Sequence, residues 1–328
     1  MTKQMAVLAL TTLMLLSAVG ASSSADEVVK IALDWTPNTN HTGIVVAQEL
    51  GYFAEEGLTV EIVQPGPTMS VHLVATGQCD FAVSMQEYVT MARSQDVPVV
   101  SVAAVFPHNT SGFASPSALG ITSPADFEGL RYGGWGSDLE AIMIRTVMAA
   151  AAADDASVKR FNLGMLDFPT AVERDFADFF WIFYGWDGIH AQLRGIEFDY
   201  LPLRDLADVL DYYTPVIVTS ETMIASSPDV VRRFLRALAR GYVFAARAPA
   251  EAANMLLHFA PELDATLVRA SQAWLADQAD ADLVSWGWQR EDVWRAFADW
   301  AYENGLIVSP IASGAAFTNR FLPGWEGP

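Results

Sequence analysis

Polar and aromatic residues cluster in three short loops, each of which follows an apolar run typical of a buried strand. The first loop holds Asp34, Trp35, Asn38 and His41, and a helical pattern begins just after it. An aromatic face beside carboxylate, amide and imidazole groups suits a flat, polar heterocycle. The spacing is equally compatible with Trp35 as a core residue, Asn38 as a helix cap and His41 as a group that orients the loop.

The second loop carries Ser84, Glu87 and Tyr88, directly after the run DFAV. An ionised Glu87 would pair with an amine of such a heterocycle through charge-assisted hydrogen bonds. A glutamate is also favoured in the first turn of any helix, because that end of the helix carries a partial positive charge. Both roles of Glu87 are open at this point.

The third loop carries Tyr184, Trp186 and Asp187, directly after the run FFWIF. Glycines on either side of Trp186 and Asp187 permit close backbone approach, and Trp186 belongs to no periodic apolar stripe. This arrangement favours exposure of Trp186 to a cleft over packing, where it could face Trp35 or Tyr88 across a planar ligand. For Asp187, a helix-start position is the alternative.

A further glycine-rich turn, which contains Trp135 and ends at Ser137, could cradle an anion at a helix start. Asp138 and Glu140 follow at once, and none of the three loops contains Lys or Arg. The pattern therefore favours a neutral or cationic ligand, with Asp34, Trp135 and Ser137 as second-tier contacts. Asn109 is expected at the edge of the same cleft.

Strand and helix patterns alternate with short connections, which predicts βαβ units and largely parallel sheets. Expected helices include 42–56 and 137–153, and the Ser-, Gly- and Pro-rich segment 106–130 is interpreted as a crossover into a second unit. The pattern around 213–219 suggests a return to the first unit.

We therefore expect an α/β protein with two lobes, a two-strand hinge and a ligand cleft that closes by hinge motion. Lobe I would comprise residues 26–112 and 219–328, and lobe II residues 113–218.

The N-terminus resembles a secretory signal over residues 1–25, with cleavage after Ala25 or Ala21. No cysteine lies near either cut, so no lipid anchor is expected, and the mature protein should be soluble and periplasmic. Cys79 is the only cysteine, which excludes an internal disulfide and a zinc cluster and suits a small buried residue.

The formal net charge of −20 over 328 residues describes an acidic chain. Nucleic acids and anionic membranes bind basic surfaces, so neither is an expected partner. We expect a monomer with a solvated acidic surface and no cofactor.

The segments DWTPNTNHTGIVVAQELGYFAEEGLTVEIV, SMQEYV and FFWIFYGWDGI resemble the periplasmic binding proteins that capture thiamine pyrimidine precursors for ABC transporters. The resemblance implies a two-lobed fold, a formylated or hydroxymethyl aminopyrimidine as ligand, and a membrane permease as partner. Binders of riboflavin-like vitamins, sulfonates, taurine or nitrate belong to the same superfamily and are the alternatives.

The eukaryotic thiamine-pyrimidine synthases are also similar in the opening motif. In that family a lysine holds pyridoxal phosphate and a histidine is consumed, and the resemblance places these positions on Ser84 and Tyr88. Because a serine cannot form a Schiff base, and because the cysteine-rich motif has no counterpart, a synthase is not expected.

Overall fold

The computed structural model describes residues 27–326 except 65, 67 and 165, so the expected signal sequence lies outside the described residues. The described chain forms two five-stranded sheets with helices packed around them. This confirms the expected two-lobed α/β fold.

The ten strands are β1 (Glu27–Ala32), β2 (Leu58–Val63), β3 (Phe81–Ser84), β4 (Val99–Ala104), β5 (Ser111–Pro116), β6 (Arg131–Gly134), β7 (Lys159–Asn162), β8 (Phe179–Phe183), β9 (Phe198–Pro202) and β10 (Val216–Ser220). The α-helices of the described residues are α1 (Thr42–Glu49), α2 (Tyr52–Glu55), α3 (Ser70–Ala75), α4 (Gln86–Arg93), α5 (Asp138–Ala150), α6 (Phe168–Glu173), α7 (Ile189–Leu193), α8 (Leu203–Leu206), α9 (Glu221–Ser226), α10 (Pro228–Arg247), α11 (Pro249–Phe259), α12 (Ala265–Ala276), α13 (Glu291–Glu303) and α14 (Ser313–Ala316).

The first sheet has the strand order β2-β1-β3-β10-β4, and the second has the order β7-β6-β8-β5-β9. In each sheet three neighbouring strands are parallel, while β10 and β5 run antiparallel to their neighbours. Because the carboxyl ends of parallel strands share one edge, the loops after β1 and β3 meet in the first lobe, as do those after β6 and β8 in the second.

The sequence missed two strands. Residues 106–130, expected to be a crossover, contain β5, and the pattern gave no signal for β9. Strand β5 packs closely against β9. A Cβ on Gly112 would lie only 2.5 Å from the Leu201 carbonyl oxygen and 2.6 Å from the Tyr200 ring, so this contact with β9 requires a glycine. The expected helix 42–56 is also wrong as one helix, because the chain breaks at Gly51, whose φ is +73°.

Two segments join the sheets, residues 105–110 and 203–215, and hydrogen bonds tie them together. Asp211 accepts bonds from the Asn109 N–H at 2.9 Å and lies 2.7 Å from His108 Nδ1, while Asn109 Nδ2 donates to the Leu210 carbonyl at 2.8 Å. The expected lobe boundaries fall inside β5 and β10, so cuts within the joining segments would keep every strand whole. The exact lobe division stays a prediction.

Helix α13 packs against both lobes. Trp294 joins the cluster under the first sheet, whereas Phe297 and Trp300 join the core of the second. Trp300 Nε1 also donates to Thr146 Oγ1 on α5 at 3.1 Å. The C-terminal part of the chain, expected to belong to lobe I, therefore also contributes to the core of the second lobe.

Across the described residues, no helix combines the length and the apolar character needed to cross a membrane. Cys79 is 5% exposed, which confirms its expected place in the core.

Candidate functional site

The first loop is organised around His41, which is buried. His41 Nε2 lies 2.7 Å from Asp34 Oδ1, and its Nδ1 accepts a hydrogen bond from the Asn38 N–H at 3.2 Å. The Asn38 side chain is also buried, donates to the Thr36 carbonyl and accepts from the Asn40 N–H. Asn38 and His41 therefore shape the loop. Because His41 engages only Oδ1 of Asp34, the other carboxylate oxygen of Asp34 remains a free acceptor.

Trp35 lies in the same loop, and 40% of its surface is exposed. Its ring is absent from the hydrophobic core clusters of the described residues. The core alternative for Trp35 is therefore disfavoured, and its ring is accessible at the carboxyl edge of the first sheet.

Glu87 lies in the first turn of α4 and is 1% exposed. Its Oε2 atom has no hydrogen-bond partner among the described residues. Burial, with a smaller contribution from the nearby Asp34 carboxylate, raises the pKa of Glu87 to about 8, against a backbone hydrogen bond that lowers it. Glu87 is therefore largely protonated at neutral pH, whereas the sequence interpretation took an ionised carboxylate.

Ser84 and Tyr88 flank Glu87 at the end of β3. Ser84 is buried, and its hydroxyl oxygen has no partner among the described residues. Burial raises the pKa of Tyr88 to about 12, with smaller contributions from Glu87, Asp34 and Glu140. Because Glu140 belongs to α5 of the second lobe, Tyr88 lies where the two lobes approach each other.

The second lobe presents an aromatic wall beside Glu140. The ring centroid of Trp135 lies 4.9 Å from that of Trp181 and 6.2 Å from that of Phe183, and Trp135 is 37% exposed. The indole N–H of Trp181 is buried and has no partner among the described residues. The exposed Trp135 ring therefore offers a stacking surface, and a donor without a partner lies buried behind it.

Glu140 holds this wall in position. Its carboxylate accepts hydrogen bonds from the Tyr132 hydroxyl at 2.9 Å, the Trp135 N–H at 2.7 Å and the Ser137 N–H at 2.8 Å. Ser137 in turn caps α5. In the glycine-rich turn, the N–H groups of Trp135 and Ser137 thus already donate to the carboxylate of Glu140. This disfavours the binding of an external anion there.

The third loop forms a π-helical turn that packs against the first lobe. Trp186 joins the apolar cluster of Val45 on α1 and Val268 on α12, and the Tyr184 ring lies 5.0 Å from that of Trp274. Asp187 accepts a bond from the Phe183 N–H, and burial raises its pKa to about 6. The geometry therefore favours packing and turn stabilisation for these residues.

A serine bridges the two lobes beside this loop. Ser271 on α12 is fully buried, its hydroxyl donates to the Gly185 carbonyl, and its oxygen lies 2.5 Å from Thr39 Oγ1. A continuous series of hydrogen bonds therefore runs from the first loop to the third, through Thr39, Ser271 and Gly185.

Asn109 is buried at the joint between the lobes. Its side-chain oxygen accepts bonds from the N–H and the hydroxyl of Ser111, and its amide donates to Leu210. Each polar group of the Asn109 side chain has a partner, so Asn109 organises the joint.

The structure therefore brings together Asp34, Trp35, Ser84, Glu87 and Tyr88 from the first lobe. Glu140 links this group to the wall of Trp135, because its carboxylate acts on Tyr88 and also accepts the Trp135 N–H. The described residues contain no cluster of ligating side chains that could hold a metal ion.

Sequence reasoning missed Trp181, Phe183 and Glu140. The alternation in FFWIF carried a signal for the first two, since every second residue of a strand shares a face. The capping pattern from Ser137 to Glu140 was a signal for the third.

The fold defines the class of protein. The periplasmic aliphatic sulphonate binding protein SsuA of Escherichia coli matches this structure with a TM-score of 0.72 and 14% sequence identity, over 92% of this chain and 94% of that one. At that identity the likeness shows the shared fold, that of two-lobed periplasmic binding proteins.

The chain belongs to the NMT1/THI5-like family, whose sequence profile matches residues 38–252. It is 30% identical to the formylaminopyrimidine-binding protein of Halalkalibacterium halodurans, over 91% of this chain and 92% of that one. It is 28% identical to the 4-amino-5-hydroxymethyl-2-methylpyrimidine phosphate synthase of Legionella pneumophila, over 92% of this chain and 95% of that one. Its relatives thus include a binding protein and a synthase.

Proposed function

We propose that this protein is the solute-binding component of an ABC importer and binds an aminopyrimidine precursor of thiamine between its lobes. The observation that carries the proposal is the pair of acids at the first lobe. Asp34 and Glu87 each keep one carboxyl oxygen without a partner among the described residues. Our proposal sets the Trp135 wall across from them, because Glu140 holds that wall and also acts on Tyr88.

An aminopyrimidine complements this arrangement. Its exocyclic amine would donate to the free oxygen of Asp34, and its ring nitrogen would accept the proton of Glu87 in a charge-assisted hydrogen bond. The Trp135 ring, with Trp35 or Tyr88 opposite, would cover its faces. Ser84 supplies a further hydroxyl that burial leaves unsatisfied.

A synthase reaction is disfavoured by the same residues. Ser84 stands where the resemblance places the lysine of the synthases, and Tyr88 stands at the consumed histidine. A hydroxyl cannot form the imine that holds pyridoxal phosphate. Incubation with pyridoxal phosphate should therefore give no Schiff-base absorbance.

The formylaminopyrimidine-binding relative supports a membrane permease as partner of this chain. We further propose that the mature protein is a periplasmic monomer without a lipid anchor, and that it binds no nucleic acid. The net charge of −20 supports the last point.

Isothermal titration of protein that has been unfolded and refolded, to remove carried-over ligand, tests the proposal. Formylaminopyrimidine or 4-amino-5-hydroxymethyl-2-methylpyrimidine should bind saturably, and taurine should give no heat. Trp135→Ala should weaken binding by about tenfold or more, equivalent to about 1.4 kcal/mol, because one face of the ligand loses its cover.

Trp325→Ala is the matched control, because Trp325 has the same 37% exposure but lies in the C-terminal segment. The Trp325→Ala variant should bind the aminopyrimidine with the same affinity as the wild type. Tight binding of taurine with no binding of either pyrimidine would discard the ligand assignment.

A further inference from the structure

A groove rich in arginine lies where α10 meets the C-terminal segment, outside the site between the lobes. Arg232, Arg236, Arg320 and Trp325 line it around the ring of Phe321. The groove has a cavity volume of about 360 Å³, at the lower end of the range for sites of small organic molecules.

Two of the arginines are held over one aromatic ring. The guanidinium carbon of Arg232 lies 5.4 Å from the centroid of Phe321, and that of Arg320 lies 4.6 Å from it. The two carbons are therefore no more than about 10 Å apart. Phe321 is only 2% exposed, so a fixed ring pre-positions both guanidinium groups.

The arginines of α10 differ in how their charge is compensated. Arg236 forms two bonds of 2.6 Å with Glu56, Arg233 pairs with Glu27 and Asp229, and Arg240 pairs with Glu55.

By contrast, neither Arg232 nor Arg320 takes part in an ion pair with any described residue. Their two positive charges are therefore not offset inside the groove, although the chain as a whole carries a net charge of −20.

We propose that this groove is a second binding site, for a small organic anion with two or more carboxylate or phosphate groups. The planar fork of a guanidinium binds such groups through two parallel hydrogen bonds, and two arginines favour a ligand with two anionic ends. Trp325 offers an exposed ring to the organic part of the ligand.

The groove is remote from the proposed heterocycle site along α10. Tyr242, on the same helix, donates to the Asn40 carbonyl in the first loop. Ten residues separate Tyr242 from Arg232, which is about 15 Å of helix. Binding in the groove therefore does not depend on the proposed function, and the two sites can be tested separately.

Isothermal titration with citrate and with pyrophosphate tests the proposal, in a buffer free of other polyvalent anions. The wild-type protein should bind one equivalent of at least one of them. The double variant Arg232→Gln/Arg320→Gln should bind it about tenfold more weakly or worse, because both unpaired charges are lost. Arg174→Gln, at an exposed arginine on another face, should bind as the wild type does.

Circular dichroism and thermal unfolding of each variant verify that the fold is intact. If the double variant unfolds early, Arg320→Lys replaces it and should still weaken binding, because the charge remains but the fork is lost.

Three results would overturn the proposal. The first is the absence of saturable heat with either anion up to about 10 mM. The second is equal anion affinity in the wild type and the arginine variants. The third is binding of the protein to phosphatidylglycerol vesicles but to neither small anion.

Discussion

At the scale of single residues, the chemistry of the candidate site depends on Glu87. Its carboxyl group is buried beside a second acid, and its pKa is raised to about 8. A neutral acid can donate a proton to a ring nitrogen, which an ionised carboxylate cannot do. The protonation state of Glu87 is therefore part of how the site would recognise a heterocycle.

The raised pKa makes stability depend on pH with a definite sign. Because the fold favours the protonated form, the contribution of Glu87 is complete below its unfolded pKa of 4.5 and declines as the pH rises to about 8. Glu87→Gln cannot ionise, so the variant should gain stability relative to the wild type as the pH rises from about 5 to 9. Thermal unfolding of both proteins across this range measures the difference.

Asp187→Asn provides the control, since burial raises the pKa of Asp187 only to about 6. Its difference from the wild type should stop changing above about pH 6, whereas that of Glu87→Gln should continue to grow to about pH 8. A difference for Glu87→Gln that stays constant with pH would contradict a buried, protonated carboxyl.

At the same scale, the sequence predicted residue types and strand ends better than side-chain contacts. Asp34 and Glu87 follow strands and Ser84 ends one, close to what the alternating pattern predicted. The packing of Trp186 on the cluster around Val45 could not be predicted, because that cluster comes from helices distant in the sequence. Glycines on either side of an aromatic residue indicate close approach, but not whether the neighbour is a ligand or a helix.

At the scale of elements, β5 and β9 show the same limit. Strand β5 is rich in Ser, Gly and Pro, so its local preference does not favour a strand. Its pairing with β8 and β9 supplies the hydrogen bonds that local sequence cannot specify. The parallel units were predictable because long apolar runs and capped helices alternate there.

The contact between the third loop and α12 is a further element-scale feature. The hydroxyl of Ser271 satisfies the Gly185 carbonyl and contacts Thr39, all in a buried setting. Ser271→Ala should lower the free energy of unfolding by about 1–3 kcal/mol, because buried polar groups lose their partner. Denaturant unfolding measures the change.

Ser226→Ala is the matched control for this prediction, because Ser226 is an exposed helical serine on α9. That substitution should alter the free energy of unfolding by less than about 0.5 kcal/mol. Equal stabilities of the Ser271→Ala variant and the wild type would show that the bridge contributes nothing to the joined lobes.

At the scale of the whole molecule, two lobes meet through three kinds of contact. Two joining segments are bonded to each other at Asn109 and Asp211, α13 packs in both cores, and α12 holds the third loop. A closing motion would have to keep the joining segments intact while the contacts of α12 change. The Ser271 bridge is therefore the contact that would most directly report on lobe separation.

The charge of the whole molecule leads to the last prediction. A net charge of −20 places like charges close together over most of the surface, and their repulsion favours the expanded, unfolded chain. Raising sodium chloride from about 20 to 500 mM shortens the screening length several-fold, so the melting temperature should rise at pH 7. Near the sequence pI of 4.4 the net charge vanishes, and the same salt step should have little stabilising effect.

Differential scanning calorimetry at pH 7 and near pH 4.4 measures this difference in the effect of salt on the melting temperature. A lower melting temperature in high salt at pH 7 would mean that the surface ion pairs, such as those of Arg233 and Arg240, outweigh the general repulsion.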